Sequence, residues 1–249
     1  MELTFLGTGA AFAGDAFNAG YILDRRVLID AGAPVHVLIH QTGHNIADIE
    51  AAVITHQHAD HTFGLPYVMA TRAIEAPDAP PFVIAGPPGF EWYLNNLFQM
   101  AWGDHLKDLV WDRLKPRFID FHPGAEEELA GFMVHAEEMQ HVPDIPCLGY
   151  NFRRDGVSFA FSGDTTECPG LHALVELSDS ILMEMTATRD GDPSHLSISQ
   201  ARAIVAANPD KRFFLTHLNR RNLNYVEHGE VAGAERAEDL TTVELRPGN

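Results

Sequence analysis

Residues 54–66 read ITHQHADHTFGLP, and they place His56, His58, Asp60 and His61 within six positions, directly after the apolar run AAVIT. Imidazole nitrogens and carboxylate oxygens at this density are the donor set of a divalent-metal site. A turn that follows a buried strand aims alternate side chains into one cleft. His56 and His58 can therefore share one ion while Asp60 and His61 turn toward a second. As an ordinary polar loop, the same cluster would leave many imidazole donors and acceptors to satisfy without a ligand. Two ions need more than four ligands, and the remainder stand where predicted strands end: His141 after GFMVHAEEMQ, Asp164 in FSGDT and His217 in RFFLTHL. Seven ligands with one shared carboxylate give each ion three or four protein contacts and leave room for a bridging hydroxide. Such a pair does hydrolysis, because it lowers the pKa of a shared water and polarises the electrophile. The expected cofactors are two divalent ions; the donor set suits zinc, and manganese or iron is compatible with it. His36, His40 and His44 recur at a spacing of four and read as a surface stripe outside the site.

The elements that must hold these residues alternate between strand and helix. ELTFLGTG (2–9), AGYIL (19–23), RVLIDAG (26–32), AAVIT (51–55) and FVIAG (82–86) read as strands, and VHVLIHQTG (35–43) as a short helix stopped by Gly43. GFEWYLNNLFQMAWG (89–103) has its aromatics at spacings of three and four, which predicts a helix with an apolar, core-facing stripe, and one near enough to the cleft to form a wall. In YNFRRDGVSFAFSGDT (150–165) two alternating runs meet at Asp155-Gly156, a hairpin signal. Then follow a helix in GLHALVEL, a strand in SILMEMT, a helix over 198–208 capped by Ser197, and the strand RFFLTHL. The stretch after Asn219 is polar and weakly patterned, and no element is assigned to it.

With 249 residues, 45% hydrophobic and 21% charged, the chain can bury one large core, so a single domain over 1–249 is expected. A formal charge of -18, from 17 Lys and Arg against 35 Asp and Glu, disfavours a long RNA or DNA partner, whose affinity comes from counterion release to cations. The paired cations Arg25-Arg26, Arg153-Arg154 and Arg220-Arg221 read as solvated turns or strand ends. Cys147 and Cys168 are too few for a disulfide framework and read as ordinary thiols. The opening MELTFLGTGAAF lacks a basic n-region and a long apolar segment, and no run approaches the roughly 18 residues a membrane span needs. A cytoplasmic protein without a membrane partner is expected, and a homodimer is compatible with the sequence.

Taken in order, His56-Gln57-His58-Ala59-Asp60-His61, His141, Asp164 and His217 resemble the metallo-β-lactamase superfamily of two-metal hydrolases. Within it, the chain is most similar to the ribonuclease Z-like branch. The opening LGTG, the THxHxDHxxGLP form, HVPDIPCLGY (141–150) and SHLS (194–197) before a helix carry that similarity. The resemblance implies an α/β fold, a four-layered αβ/βα sandwich with the metals at one edge between two sheets. It also implies a role for His195 in assisting the leaving group, with Glu184 as its orienting carboxylate. The departures narrow the function. Ribonuclease Z has a long basic arm that grips transfer RNA, and here only two short strands and a turn separate His141 from Asp164, which argues against transfer-RNA processing. The third segment of glyoxalase II-type members is missing, and His58 stands where flavodiiron reductases carry a carboxylate, which disfavours redox chemistry. The reading is a binuclear phosphodiesterase for a small-molecule substrate such as a cyclic nucleotide or nucleotide ester, with Asp60 as ligand and orienter of the hydroxide. The alternatives are an ester, lactone or sulfate-ester hydrolase on the same metals, or a metal-dependent binding protein without turnover.

Overall fold

The computed structural model describes residues 1–219, 222 and 231–248. Its strands are β1 (Glu2–Gly7), β2 (Gly20–Leu23), β3 (Val27–Ala31), β4 (Ala51–Val53), β5 (Val83–Gly86), β6 (Arg117–Asp120), β7 (Glu126–Leu129), β8 (Phe132–Glu138), β9 (Leu148–Arg154), β10 (Val157–Phe161), β11 (Ser180–Glu184), β12 (Arg212–Thr216), β13 (Ala234–Arg236) and β14 (Thr241–Glu244). The helices are α1 (Val35–Gln41), α2 (Ala59–Thr62), α3 (Leu65–Glu75), α4 (Phe90–Leu114), α5 (Pro169–Leu177) and α6 (Ile198–Ala207). They build two seven-stranded mixed sheets, ordered β14-β1-β2-β3-β4-β5-β6 and β13-β12-β11-β10-β9-β8-β7.

Each sheet is antiparallel on one side and parallel on the other, and its parallel strands are apolar on both faces because something covers each face. Between the sheets lies one core, where Phe5 meets Phe214 at 5.6 Å and Tyr21 meets Phe161 at 4.9 Å between ring centroids. A second core joins the outer face of the first sheet to α1, α3 and α4, and a third joins the second sheet to α5 and α6. The result is the helix, sheet, sheet, helix sandwich expected.

Local chemistry explains most boundaries. Asp155 and Gly156 both take positive φ, 52° and 77°, the geometry of a two-residue turn that matches strand twist, so β9 and β10 pair as a hairpin. Ser197 caps α6, its side chain accepting from the backbone N–H of Gln200 while that glutamine reaches back, a capping box. Gly43, at φ 76°, turns the chain out of α1. That turn corrects the reading of a histidine stripe. His44 is carried past the helix end and buried against β1, its Nε2 3.0 Å from the Thr4 hydroxyl. His36 stacks on Tyr67 with centroids 4.7 Å apart, and His40 alone stays exposed, 3.7 Å from Glu75.

The predicted helix ending at Gly103 bends there instead of stopping. Gly103 sits at φ 74°, ψ 174°, and the chain then resumes helical geometry to Leu114. Phe90 and Phe98 serve the core, with Phe98 edge-on to Trp102 and Trp111, while Trp92 stays 72% exposed and the Tyr93 hydroxyl meets that of Thr62 on α2 at 2.8 Å. Three of the paired cations are taken up by carboxylates: Arg26 pairs with Glu50, Arg153 with Glu126 and Arg154 with Asp24. Arg220-Arg221 lie outside the described residues. Cys147 and Cys168 are buried free thiols, and burial pushes the Cys147 thiol up to about 12. Among the described residues no helix is long and apolar enough to cross a membrane.

Within the stretch to which the sequence assigned no element, the chain serves both sheets. β13 adds in parallel to β12, and β14 adds antiparallel to β1, pairing Glu2 with Glu244.

Candidate metal centre

All seven sequence-predicted ligands converge at one edge of the sandwich. His56 follows β4, and His58 caps the single turn of α2, which carries Asp60 and His61. His141 follows β8, Asp164 follows β10, and His217, at φ 54°, follows β12. Donor atoms of His56, His58, His141 and Asp164 lie within 4.8 Å of one another, and so do those of Asp60, His61, Asp164 and His217. Asp164 belongs to both groups, the position of a shared carboxylate. Its Oδ1 is 3.4 Å from His61 Nε2 and its Oδ2 3.8 Å from His141 Nε2.

Four of the five imidazoles are oriented through one ring nitrogen. His61 Nδ1 donates to Asp30 Oδ2 at 2.7 Å, and His56 Nδ1 donates to the Thr55 hydroxyl at 3.0 Å, which itself donates to Asp30. His141 Nδ1 donates to the Ser194 carbonyl at 2.8 Å. His217 Nδ1 donates to the Thr186 hydroxyl at 2.7 Å, leaving its Nε2 facing Asp60 Oδ2 at 3.1 Å. Fixing one ring nitrogen in this way makes the other the lone-pair donor, as in metal-binding histidines generally. His58 differs: its Nδ1 faces His141 Nε2 at 3.2 Å.

Several inward atoms are buried without a hydrogen-bond partner, namely His56 Nε2, His61 Nε2 and Asp164 Oδ1. Buried polar atoms are costly to leave unpaired, and lone-pair donors collected at one point fit divalent cations. The electrostatics agree. Burial alone would raise the carboxyls of Asp60 and Asp164, yet the facing histidines hold both well below the usual carboxylate range. Burial would lower His61, yet Asp164 and Asp30 hold it well above an ordinary imidazole, so the carboxylates draw positive charge to this point. Burial, reinforced by neighbouring imidazoles, holds His56 well below and His58 below the ordinary value.

His195 and Glu184 are brought together beside the ligands. Glu184 is fully buried at the end of β11; its Oε1 accepts from His195 Nδ1 at 2.9 Å and from the Thr165 N–H at 3.0 Å, and its Oε2 accepts from the Thr186 N–H at 2.8 Å. The His195 ring lies 4.8 Å from that of His141 and 5.8 Å from that of His217. Burial pulls its pKa down, but the Glu184 hydrogen bond and charge carry it up to about 9. Sequence reasoning missed Asp30, Thr55 and Thr186. Their signal was slight: an acid closing the apolar run RVLID, and a threonine before or after a strand end. A cavity of about 610 Å³ lies at the opposite ends of β11 and β12. Its cations are engaged, Lys211 by the Glu176 and Ser178 carbonyls and Arg212 by Glu235, and it has no part in this centre.

Comparison with known proteins agrees with this geometry. A family model described as "Anti-Pycsar protein Apyc1" matches residues 1–238. A ribonuclease Z of Mycolicibacterium gilvum is 28% identical over 248 residues, covering 87% of this chain and 84% of its own. Among solved structures, the metallo-beta-lactamase fold protein YhfI from Bacillus subtilis superposes with a TM-score of 0.78 at 16% identity, over 97% of this chain and 98% of that one. The short form of human tRNase Z does so with a TM-score of 0.75 at 21% identity, over 99% and 100%. The chain thus belongs to the Anti-Pycsar protein Apyc1 family, within the ribonuclease Z-like branch of the metal-dependent hydrolases of the metallo-β-lactamase superfamily.

Proposed function

We propose that the protein is a binuclear phosphodiesterase acting on a small phosphodiester, such as a cyclic nucleotide. The observation that carries the reading is the pairing of a carboxylate common to both donor groups, Asp164, with a histidine, His195, that Glu184 holds through Nδ1 on the same rim. His56, His58, His141 and Asp164 would hold one ion, and Asp60, His61, Asp164 and His217 the other. When bound, two such ions supply Lewis acidity and an activated water.

The remaining work falls to the chain itself. An alkoxide expelled from a phosphodiester needs a proton, and His195 is placed to give one: Glu184 holds Nδ1, which leaves Nε2 to face the leaving oxygen. Glu184 in turn is fixed by the backbone N–H groups of Thr165 and Thr186, so the pair is preorganised. The acidic surface favours a small substrate over a long polyanion. The ribonuclease Z relative, by its name, acts on phosphodiester-linked RNA, which supports the bond class without setting the substrate.

Reconstituted protein should carry two divalent ions per chain by elemental analysis, and should cleave bis-p-nitrophenyl phosphate and cyclic nucleotides faster than p-nitrophenyl esters, p-nitrophenyl sulfate or lactones. Fast ester or lactone opening with inert phosphodiesters would move the assignment to carboxyl or sulfate esters. One ion or none, with all seven side chains intact, would end the binuclear reading.

A further inference from the structure

Among the described residues, the ion pairs of Asp60 and Asp164 are all with histidines. Binding energy for the non-reacting part of a substrate has to come from whatever borders this centre. The chain between β1 and β2, AAFAGDAFN at 10–18, borders it at both ends. At the first foot, Gly9 bridges to Leu218, the neighbour of His217, and the Ala10 N–H points to the Leu218 carbonyl at 3.4 Å. At the second, Asn18 crowds Gly32 so closely that a Cβ there would sit 2.5 Å from the Asn18 Cβ and 2.3 Å from the Asp60 carbonyl oxygen. The two feet therefore stand beside Asp60 and His217, members of one ligand group.

A single carboxylate pins both feet. Asp239 Oδ1 accepts from the Thr8 N–H at 2.8 Å and the Thr8 hydroxyl at 2.7 Å, while Oδ2 accepts from the Phe17 N–H at 2.8 Å. The Gly9 N–H closes the neck on the Phe17 carbonyl at 2.8 Å. A surface loop with adjoining, bonded ends is the geometry of an Ω-loop, a class often used for function. Its residues are small apart from Asp15 and two phenylalanines, of which Phe17, 38% exposed, stands at the second foot. Ala10 to Ala13 form a turn closed at 2.9 Å, and Phe12 stands at its apex, 101% exposed. Seven residues running out and back reach roughly 12 Å from the feet. The loop thus carries a large apolar ring, fully in water, two residues from a foot that stands beside the centre.

We propose that Phe12 is a specificity-determining residue whose ring stacks on a planar, base-like group of the substrate while the phosphodiester lies at the metal centre. This rests on the phosphodiesterase reading and assigns to Phe12 the contact with the planar part of the substrate. Stacking needs no cation, so it works on an acidic surface. Every base offers a π-face, so it tolerates different bases.

The test uses the full, metal-loaded chain in two arms. In the first, Phe12→Trp is titrated with uridine and guanosine 5′-monophosphates. Fluorescence quenching above that of the unsubstituted chain, whose three tryptophans set the baseline, is expected, and ribose 5-phosphate should give none of the excess. In the second, Phe12→Ala should raise KM for a 3′,5′-cyclic nucleotide about fivefold to a hundredfold with kcat within about twofold. Phe12→Tyr should restore KM, and KM for 1,3-propanediol cyclic phosphate, which has no base, should not move. No excess quenching by either nucleotide overturns the proposal, as do equal KM changes with and without a base. A change in the sedimenting mass of Phe12→Ala also overturns it, because the ring would then be a contact between copies. Excess quenching without cleavage of either cyclic phosphate would sink the phosphodiesterase reading and leave the stacking role standing.

Discussion

Asp30 shows how a residue that would touch no metal can govern the centre. Its carboxylate is fully buried, accepts from His61 and Thr55, and through Thr55 orients His56, so one side chain sets a ligand in each of the two groups. Asp30 sits at φ 52°, a conformation that asparagine also tolerates, so Asp30→Asn removes charge with little change of shape. Outer partners of ligating histidines are typically worth about 10- to 100-fold in metal affinity. Asp30→Asn should weaken zinc binding by that factor in competition with a chromogenic chelator, and unchanged affinity would refute the role. At this scale the sequence was legible where donors cluster: His56 through His61 declared themselves by spacing, and His141, Asp164 and His217 by their place at strand ends. Asp30 and Thr186 were not, because a lone acid or hydroxyl at a strand end is indistinguishable from a turn residue until its partner, distant in sequence, is known.

Elements were legible where periodicity or turn chemistry was strong, as in the β9–β10 hairpin and the capped α6. β6 and β7 escaped, since RFID and EEEL are four-residue strands with mostly exposed or half-buried side chains, and no apolar alternation marks them. The far arm of α4 escaped for a different reason: Gly103 reads as a stop, whereas its positive φ lets two helical arms share one bend. That conformation belongs essentially to glycine, and no atom lies within 4 Å of where a Cβ would be, so Gly103→Ala probes backbone strain alone. It should cost about 1–3 kcal/mol, read as a lower urea midpoint at unchanged slope. A midpoint equal to the parent's would mean that the bend is not held by the rest of the fold.

At the scale of the molecule, the ligands come from both sheets, so ions bound among them tie the two layers together. His56, His58, Asp60 and His61 follow a strand of the first sheet, while His141, Asp164 and His217 follow strands of the second. A ligand that binds only the folded state stabilises by about 2.7 kcal/mol at a hundred times its Kd. Excess zinc should therefore raise the thermal midpoint of the stripped protein by roughly 5–10 °C, at about 2–4 °C per kcal/mol for a chain of this size. A midpoint indifferent to zinc and chelator would show that the groups hold no ion in solution. The mixture of strand and helix was legible from alternating elements, and the four-layered sandwich from the family resemblance that the motif order carries. The closing strands were not, because β13 and β14 are short and largely exposed, and their reason for pairing lies in open strand edges that local sequence does not reveal.

The pairing of β1 with β14 sets a timetable for the growing chain. At about 5–20 residues per second, a ribosome makes β14 roughly 10–50 s after β1. Through that interval the outer edge of β1 presents bare N–H and C=O groups, an open template for a neighbouring nascent chain on the same message. The Asp239 clamp on Thr8 and Phe17 is also still unmade. The open β1 edge is thus a hazard of translation, and a stop codon placed before Thr241 would make it permanent.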